Sequence, residues 1–134
     1  MEHNYIDIFK DYQKAVKQRN SLLKKKDRTN LDYWTGIVVE RGNLLHSYRE
    51  SYFNEFNKHF ISLQESIRSF MPDVYGDIRD MKLDFIRGWP NNKSLEIAMI
   101  ESIDKDIIFK HTTCGPHRAD ISFKSSGIDL KHIS

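Results

Sequence analysis

HTTCGPHRADISF, residues His111 to Phe123, is the stretch on which the reading of this 134-residue chain turns. Gly115-Pro116 within it marks a turn or bulge, since glycine frees the backbone and proline fixes φ while withdrawing a ladder donor. Asp120-Ile121-Ser122-Phe123 then alternates polar and apolar, the pattern of a half-buried strand. Ser125-Ser126-Gly127 reads as a tight hairpin connection, with Ile128 and Leu130 opening the return strand. On the N-terminal side, Ile107-Ile108-Phe109 leads into His111–Thr113, which is read as a further strand.

Moving outward, Met81-Lys82-Leu83-Asp84-Phe85 also alternates and reads as a strand, closed by Gly88-Trp89-Pro90 and Asn91-Asn92. Ser94 is placed to cap a third helix whose inward face is Leu95, Ala98, Met99, Ser102 and Ile103. Asp73 to Asp80 is a connector after Met71-Pro72, because the residue before proline avoids the helical region. Residues 72–134 therefore form a small lobe of strands with one helix.

The first half reads as all helix. Tyr5, Ile8, Phe9, Tyr12, Ala15, Val16, Leu22 and Leu23 follow the three-four spacing of one buried stripe, ending near Lys26. On the opposite side of that helix Lys10, Lys14, Lys17 and Lys24 gather. Such a row is either a solvated face or a surface for nucleic-acid phosphates, with salt-dependent, sequence-blind affinity. Arg19 falls inside the apolar stripe, where a guanidinium is costly unless paired. A carboxylate or carbonyl on the facing helix is expected as its partner. From Leu31 apolar residues recur at steps of three and four through Phe70, apart from a gap at Arg41, with a brief interruption allowed near Gly36 or Gly42. About forty residues at 1.5 Å rise give an arm of roughly 60 Å. Its aromatic seam (Trp34, Tyr48, Tyr52, Phe53, Phe56, Phe60, Phe70) is read as core. The fold class is α+β: an antiparallel helical hairpin arm over residues 1–71 and the lobe over 72–134.

Composition narrows the chemistry. Apolar residues make up 39%, charged ones 30%, and the net charge is +2, so electrostatics neither demand nor exclude nucleic acid. One cysteine precludes an internal disulfide and suits a reducing, cytoplasmic setting. No apolar run approaches a membrane span. His111, Cys114 and His117 spell H-x-x-C-x-x-H, but zinc wants four convergent ligands, with only His132 or Asp120 nearby to complete them. Alternating side chains and the Gly-Pro break argue against convergence, so no metal site is assigned. Cys114 reads as a packed thiol rather than a nucleophile, and Asp104 and Asp106 as a solvated helix end. No G-x-x-x-x-G-K-[ST] phosphate loop occurs, so no catalytic residue is assigned to the chain alone.

AVKQRNSLL (Ala15–Leu23), FIRGWP (Phe85–Pro90) and GPHRAD (Gly115–Asp120), in that order, resemble segments of the RecF family of bacterial recombination ATPases with ABC- or SMC-like heads. The resemblance implies a piece of an ATP-dependent DNA-binding protein of replication-gap repair, recombination and the SOS response. It further implies ATP and Mg2+ as cofactors of the parent but none of this piece. Implied partners are single- and double-stranded DNA, a second copy of the parent and other recombination mediators, with no membrane. Gly115, Pro116, His117, Arg118 and Asp120 match the family motif, implying a role in organising the signature-bearing lobe. Ser134 matches the first residue of the ABC signature, which reaches the nucleotide of a partner subunit. Two alternatives stand beside this: an autonomous helical-hairpin module that binds protein through its aromatic seam, and a head piece of an ABC nuclease of the overcoming-lysogenisation type.

Overall fold

The computed structural model describes residues 4–125 and 128–133, with side chains for 4–125. Helix α1 spans Tyr5–Lys25; Asn4 caps it by accepting from Asp7 N–H, and Lys26 in the left-handed region ends it. Its buried stripe is Ile8, Tyr12, Ala15, Val16, Arg19, Leu22 and Leu23, the face expected from the spacing. Helix α2 runs Leu31–Phe70 without a break, so neither Gly36 nor Gly42 interrupts it. The two helices pair antiparallel: Arg19 Nε donates to Thr35 Oγ1, and Arg41 Nη1 donates to the Asp11 carbonyl. Gly42 sits where side chains crowd α2, since a Cβ there would lie 2.7 Å from Leu95 Cδ2 and 3.0 Å from the Tyr12 ring.

The rest of the chain is a short helix α3 (Pro72–Ile78), strand β1 (Met81–Ile86), helices α4 (Leu95–Glu101) and α5 (Ile103–Phe109), a 3-10 turn (Pro116–Arg118), and strands β2 (Asp120–Ser125) and β3 (Ile128–Ile133). The sheet order is β1-β2-β3, all antiparallel, with Leu83 opposite Phe123 and Ile121 opposite Ile133. The fold is α+β with a helical hairpin, as expected.

Three local expectations fail. Asp73–Asp80 is mostly helix, because Pro72 at the first helical position supplies a preset φ and lacks only a donor that would go unused. The helix capped by Ser94 is followed almost at once by α5 after a break at Ser102, so Ile107–Phe109 is helical. His111–Thr113 is not a strand: Lys110 takes φ 60 and turns the chain back across α5. The expected turn residues Ser126 and Gly127 lie outside the described residues.

Contacts divide the chain into two compact units, Met1–Tyr48 with Arg87–Ala119, and Arg49–Ile86 with Asp120–Ser134. Each takes residues from both the 1–71 and the 72–134 portions. In the first, Ile8, Tyr12, Ala15, Val16, Val38, Leu45, Trp89, Leu95, Ala98 and Met99 form one core; burying each larger aliphatic contributes about 1.5–3 kcal/mol. In the second, Phe53 stacks on Phe85 and Phe60 tilts against Phe123, while Gln64 Nε2 donates to the Ile78 and Met81 carbonyls.

The aromatic seam of α2 is therefore only partly core. Trp34, Tyr48, Phe53 and Phe60 face packed neighbours, but Tyr52, Phe56 and Phe70 are exposed. Apolar residues of the second half lie on two neighbouring stripes, and the sheet covers one of them. None of the described helices is long and apolar enough to cross a membrane.

Candidate functional site

Arg19 is the centre of a polar network inside the first unit. It and Asp106 are fully buried, and Arg19 Nη1 lies 2.8 Å from Asp106 Oδ2. The expectation of a carboxylate on the facing helix is corrected in its address: α2 gives only the Thr35 hydroxyl, at 2.9 Å, and the carboxylate comes from α5. Asp106 is thus not part of a solvated helix end. Asp104 is exposed as expected, but two residues on, the α5 spiral turns the carboxylate toward α1.

Asp106 also organises the loop behind it. Its Oδ1 accepts from the Thr113 backbone N–H at 2.9 Å and the Thr113 hydroxyl at 2.6 Å. Thr112, likewise buried, accepts from Arg19 Nη1 at 2.8 Å through its hydroxyl, and donates both its N–H and its O–H to Asn20 Oδ1 at 2.7 Å. Adjacent residues of α1, Arg19 and Asn20, therefore grip one threonine, the first as donor and the second as acceptor. Arg19 Nη2 has no hydrogen-bond partner among the described residues.

Beyond Thr112 the chain crosses Gly88. Gly115 N–H donates to the Gly88 carbonyl at 3.0 Å. Both glycines have positive φ (104 and 132), and a Cβ on Gly88 would collide with the Gly115 carbonyl. Pro116 is buried beneath the turn, and Arg118 is exposed at its end. Asp120 opens β2, its Oδ1 accepting from the Ile121 N–H. Arg87 secures the other side of the crossing by donating to the carbonyls of Trp89, Pro90 and Lys93 while its guanidinium covers the Trp89 ring, 4.4 Å from its centroid.

His117 lies at the surface, yet both ring nitrogens are engaged. Nε2 is 2.7 Å from the Thr112 carbonyl and Nδ1 is 2.7 Å from the Tyr12 hydroxyl. A carbonyl only accepts, so in the neutral ring Nε2 carries the proton and Nδ1 receives the tyrosine O–H. Packing around the ring pushes its pKa below the usual histidine value; the Thr112 carbonyl opposes this and the Arg118 charge adds to it. Burial pushes the Cys114 thiol up, against a lowering contribution from Ser102, whose Oγ lies 3.6 Å from Sγ. That shift disfavours the thiolate, the form that attacks electrophiles and binds metals. His111 bonds the Phe109 carbonyl, and no cluster of three metal-binding side chains exists among the described residues.

Lys10, Lys14 and Lys17 line a groove of about 420 Å³ with Tyr12, Gln13, Val16 and His117. Lys24, though exposed on the same helix, does not line it. Ser134 lies outside the described residues. The sequence reading missed Asp106, Thr112, Thr113, Asn20 and Tyr12. The one signal pointing to them was Arg19 itself, a charge in an apolar stripe that had to have partners.

No protein-family model matches the chain. It is 28% identical over 136 residues to the DNA replication and repair protein RecF of Pseudoalteromonas translucida, covering 99% of this chain and 35% of that protein. To RecF of Hahella chejuensis it is 31% identical over 138 residues, covering 99% and 36%. Among solved structures, the recombination mediator protein RecF with ATP, of the RecFOR pathway, superposes with a TM-score of 0.72 at 23% identity, over 96% of this chain and 36% of that one. The chain thus spans about a third of the length of the relatives it matches. Of the three motifs that resemble RecF, the second and third meet where Gly115 bonds Gly88, and the first reaches the third through Thr112; over 99% of its length the chain is similar in sequence to about a third of RecF, and it shares that segment's fold.

Proposed function

We propose that the chain serves as part of a RecF-like ATPase of DNA replication and repair, contributing a helical arm (1–71) and a lobe (72–134) that leads to an ABC signature. In this reading ATP and Mg2+ bind elsewhere in the parent protein, and Ser134 begins the signature that meets the nucleotide of a second copy. ATP closes the dimer on single- or double-stranded DNA, and hydrolysis releases it. Gly115, Pro116, His117, Arg118 and Asp120 hold the lobe's leading loop, while the lysine row of α1 (Lys10, Lys14, Lys17, Lys24) faces nucleic acid. Recombination mediators are the protein partners, and the setting is the cytoplasm and the SOS response.

The observation that carries this reading is that three separately matching motifs are tied into one hydrogen-bonded network, the first to the third through Thr112 and the third to the second at Gly115 and Gly88. The reading frame encoding these residues is expected to hold a phosphate loop upstream and Gly-Gln directly after Ser134; a frame lacking both refutes the assignment. By calorimetry the chain itself should take up no ATP, and a micromolar isotherm would contradict the division of labour.

A second reading, a helical hairpin that docks protein, draws support from the exposed stripe Tyr52, Phe56, Leu63 and Phe70. Under it, changing Tyr52 and Phe56 to Ser abolishes partner capture while DNA affinity is untouched.

A further inference from the structure

We infer that the outer edge of β1 pairs with the same strand of a second copy of this chain, antiparallel and in one register, centred on Leu83. The pairing needs no nucleotide and does not depend on the RecF-like reading above. β1 is the terminal strand of the described sheet, with β2 on one side and no described strand on the other. Such an edge presents a row of backbone N–H and C=O groups to whatever lies beside it. Proline, glycine and bulges are the usual devices that blunt an edge. β1 has no proline or glycine, and its register with β2 runs unbroken from Met81 to Ile86, whereas β2 and β3 slip between Phe123 and Lys124.

The order of the side chains identifies the occupant. Met81, Leu83 and Phe85 share the face packed on α2, with Leu83 buried and Phe85 stacked on Phe53; Lys82 and Asp84 are exposed on the other face. Charges on an edge strand ordinarily repel a second strand, but these two are complementary about Leu83. Turned about a two-fold axis there, Lys82 falls opposite the second copy's Asp84, and Met81 opposite its Phe85. Each pair lies on one face, so the apolar face continues across the junction. Slipping the register by two sets Lys82 on Lys82 or Asp84 on Asp84, and slipping it by one sets apolar against charged. Parallel pairing in register lays each charge on its like. Lys82 also lacks a carboxylate within its own copy. It lies opposite Lys124 on β2 and forms no ion pair with a described residue, while Asp84 serves Lys124 at 3.1 Å. The contact is isologous, so association stops at a dimer whose sheet runs β3-β2-β1-β1-β2-β3.

The test is sedimentation velocity of the whole chain, without nucleotide, over about two decades of concentration. Wild type is expected to pass from monomer to dimer toward the upper end, since a strand edge is a small interface and gives a weak dimer. Lys82→Asp and Asp84→Lys each turn both cross-strand pairs into like charges and should weaken dimerisation about tenfold or more. An equimolar mixture of these two variants restores both attractions and should recover a heterodimer, which a misfolded variant could not supply. Lys82→Asp/Asp84→Lys should dimerise alone, because the swap keeps the complementarity. A wild type that stays monomeric throughout, single variants that dimerise as wild type does, or a mixture that stays monomeric overturns the inference. Each of these results leaves the RecF-like reading standing, since that reading is decided by the reading frame.

Discussion

Replacing Asp106 with Asn tests the centre of the structure with almost no change of shape. The amide keeps the volume and still accepts from Thr113, but the Arg19 guanidinium, wholly buried, loses its counter-charge. Removing one partner of a buried pair typically costs about 3–5 kcal/mol, because the remaining charge stays desolvated. Against a total stability of about 5–15 kcal/mol, that is a large share. Arg19→Met should cost a similar amount, stranding the carboxylate instead.

The double variant Arg19→Met/Asp106→Leu strands no charge. Its remaining damage is the Thr113 N–H and hydroxyl left without their acceptor and the Thr112 and Thr35 hydroxyls left without their donor, at about 1–3 kcal/mol for each polar group that stays buried and unpaired. It should therefore cost less than the two single changes added together, a non-additive cycle. Urea melts followed by tryptophan emission suit the measurement, since Trp34 and Trp89 both belong to the unit that holds the pair. Stability differences are read from the midpoint at constant slope. A cost below about 1 kcal/mol for Asp106→Asn, or single costs that simply add, would refute the buried-pair account.

Glycine positions give contrasting outcomes. Gly36→Ala should stabilise by about 0.5–1 kcal/mol, because a Cβ there meets open space in mid-helix. Gly42→Ala should destabilise by about 1–3 kcal/mol through Leu95 and the Tyr12 ring; thermal melts of the pair decide whether the helices meet where described. Gly88→Ala combines positive φ with a backbone collision and should cost at least about 2 kcal/mol, and a neutral result would mean the two loops do not cross. For His117 the folded pKa is the lower one, so its contribution is complete above the unfolded value near 6.5 and is lost as pH falls from there toward the folded value. Stability measured between pH 7 and 5 should fall with acidification, by less in His117→Gln than in wild type; identical profiles would remove His117 as the cause. Cys114 should be alkylated slowly in the folded chain and at the ordinary rate in urea, and rapid reaction without denaturant would contradict its burial.

The helices were legible because their stripes repeat. Ile8, Tyr12, Ala15 and Val16 announce one buried face, and Met71-Pro72 announces the end of α2. The exposed side of α2 was not legible in its second half. Tyr52 and Phe56 lie one position from Phe53 and Asn57, so periodicity alone allows either stripe to face inward, and only the partner sheet decides. Asp106 was illegible for another reason. Asp104-Lys105-Asp106 has the composition of a solvated helix end, and its burial depends on a left-handed residue at Lys110 returning the chain to α1. Local patterning holds no trace of that return.

Arg19 and the motif loop explain one another. Residues 110–115 have no regular secondary structure, so their backbone groups need partners from elsewhere. Asn20 takes Thr112 N–H, Asp106 takes Thr113 N–H, His117 donates to the Thr112 carbonyl, and the Gly88 carbonyl takes Gly115 N–H. Each partner comes from a different segment, and three of those segments are the ones that resemble RecF. A buried arginine is a poor way to gain stability, since a hydrophobic side chain would pack more cheaply in the stripe. Its advantage is position: a charge that must meet Asp106 and Thr112 leaves the loop a single register on α1. That register brings His117 to the edge of the lysine face, so the ion pair in the interior determines the shape of a groove on the surface.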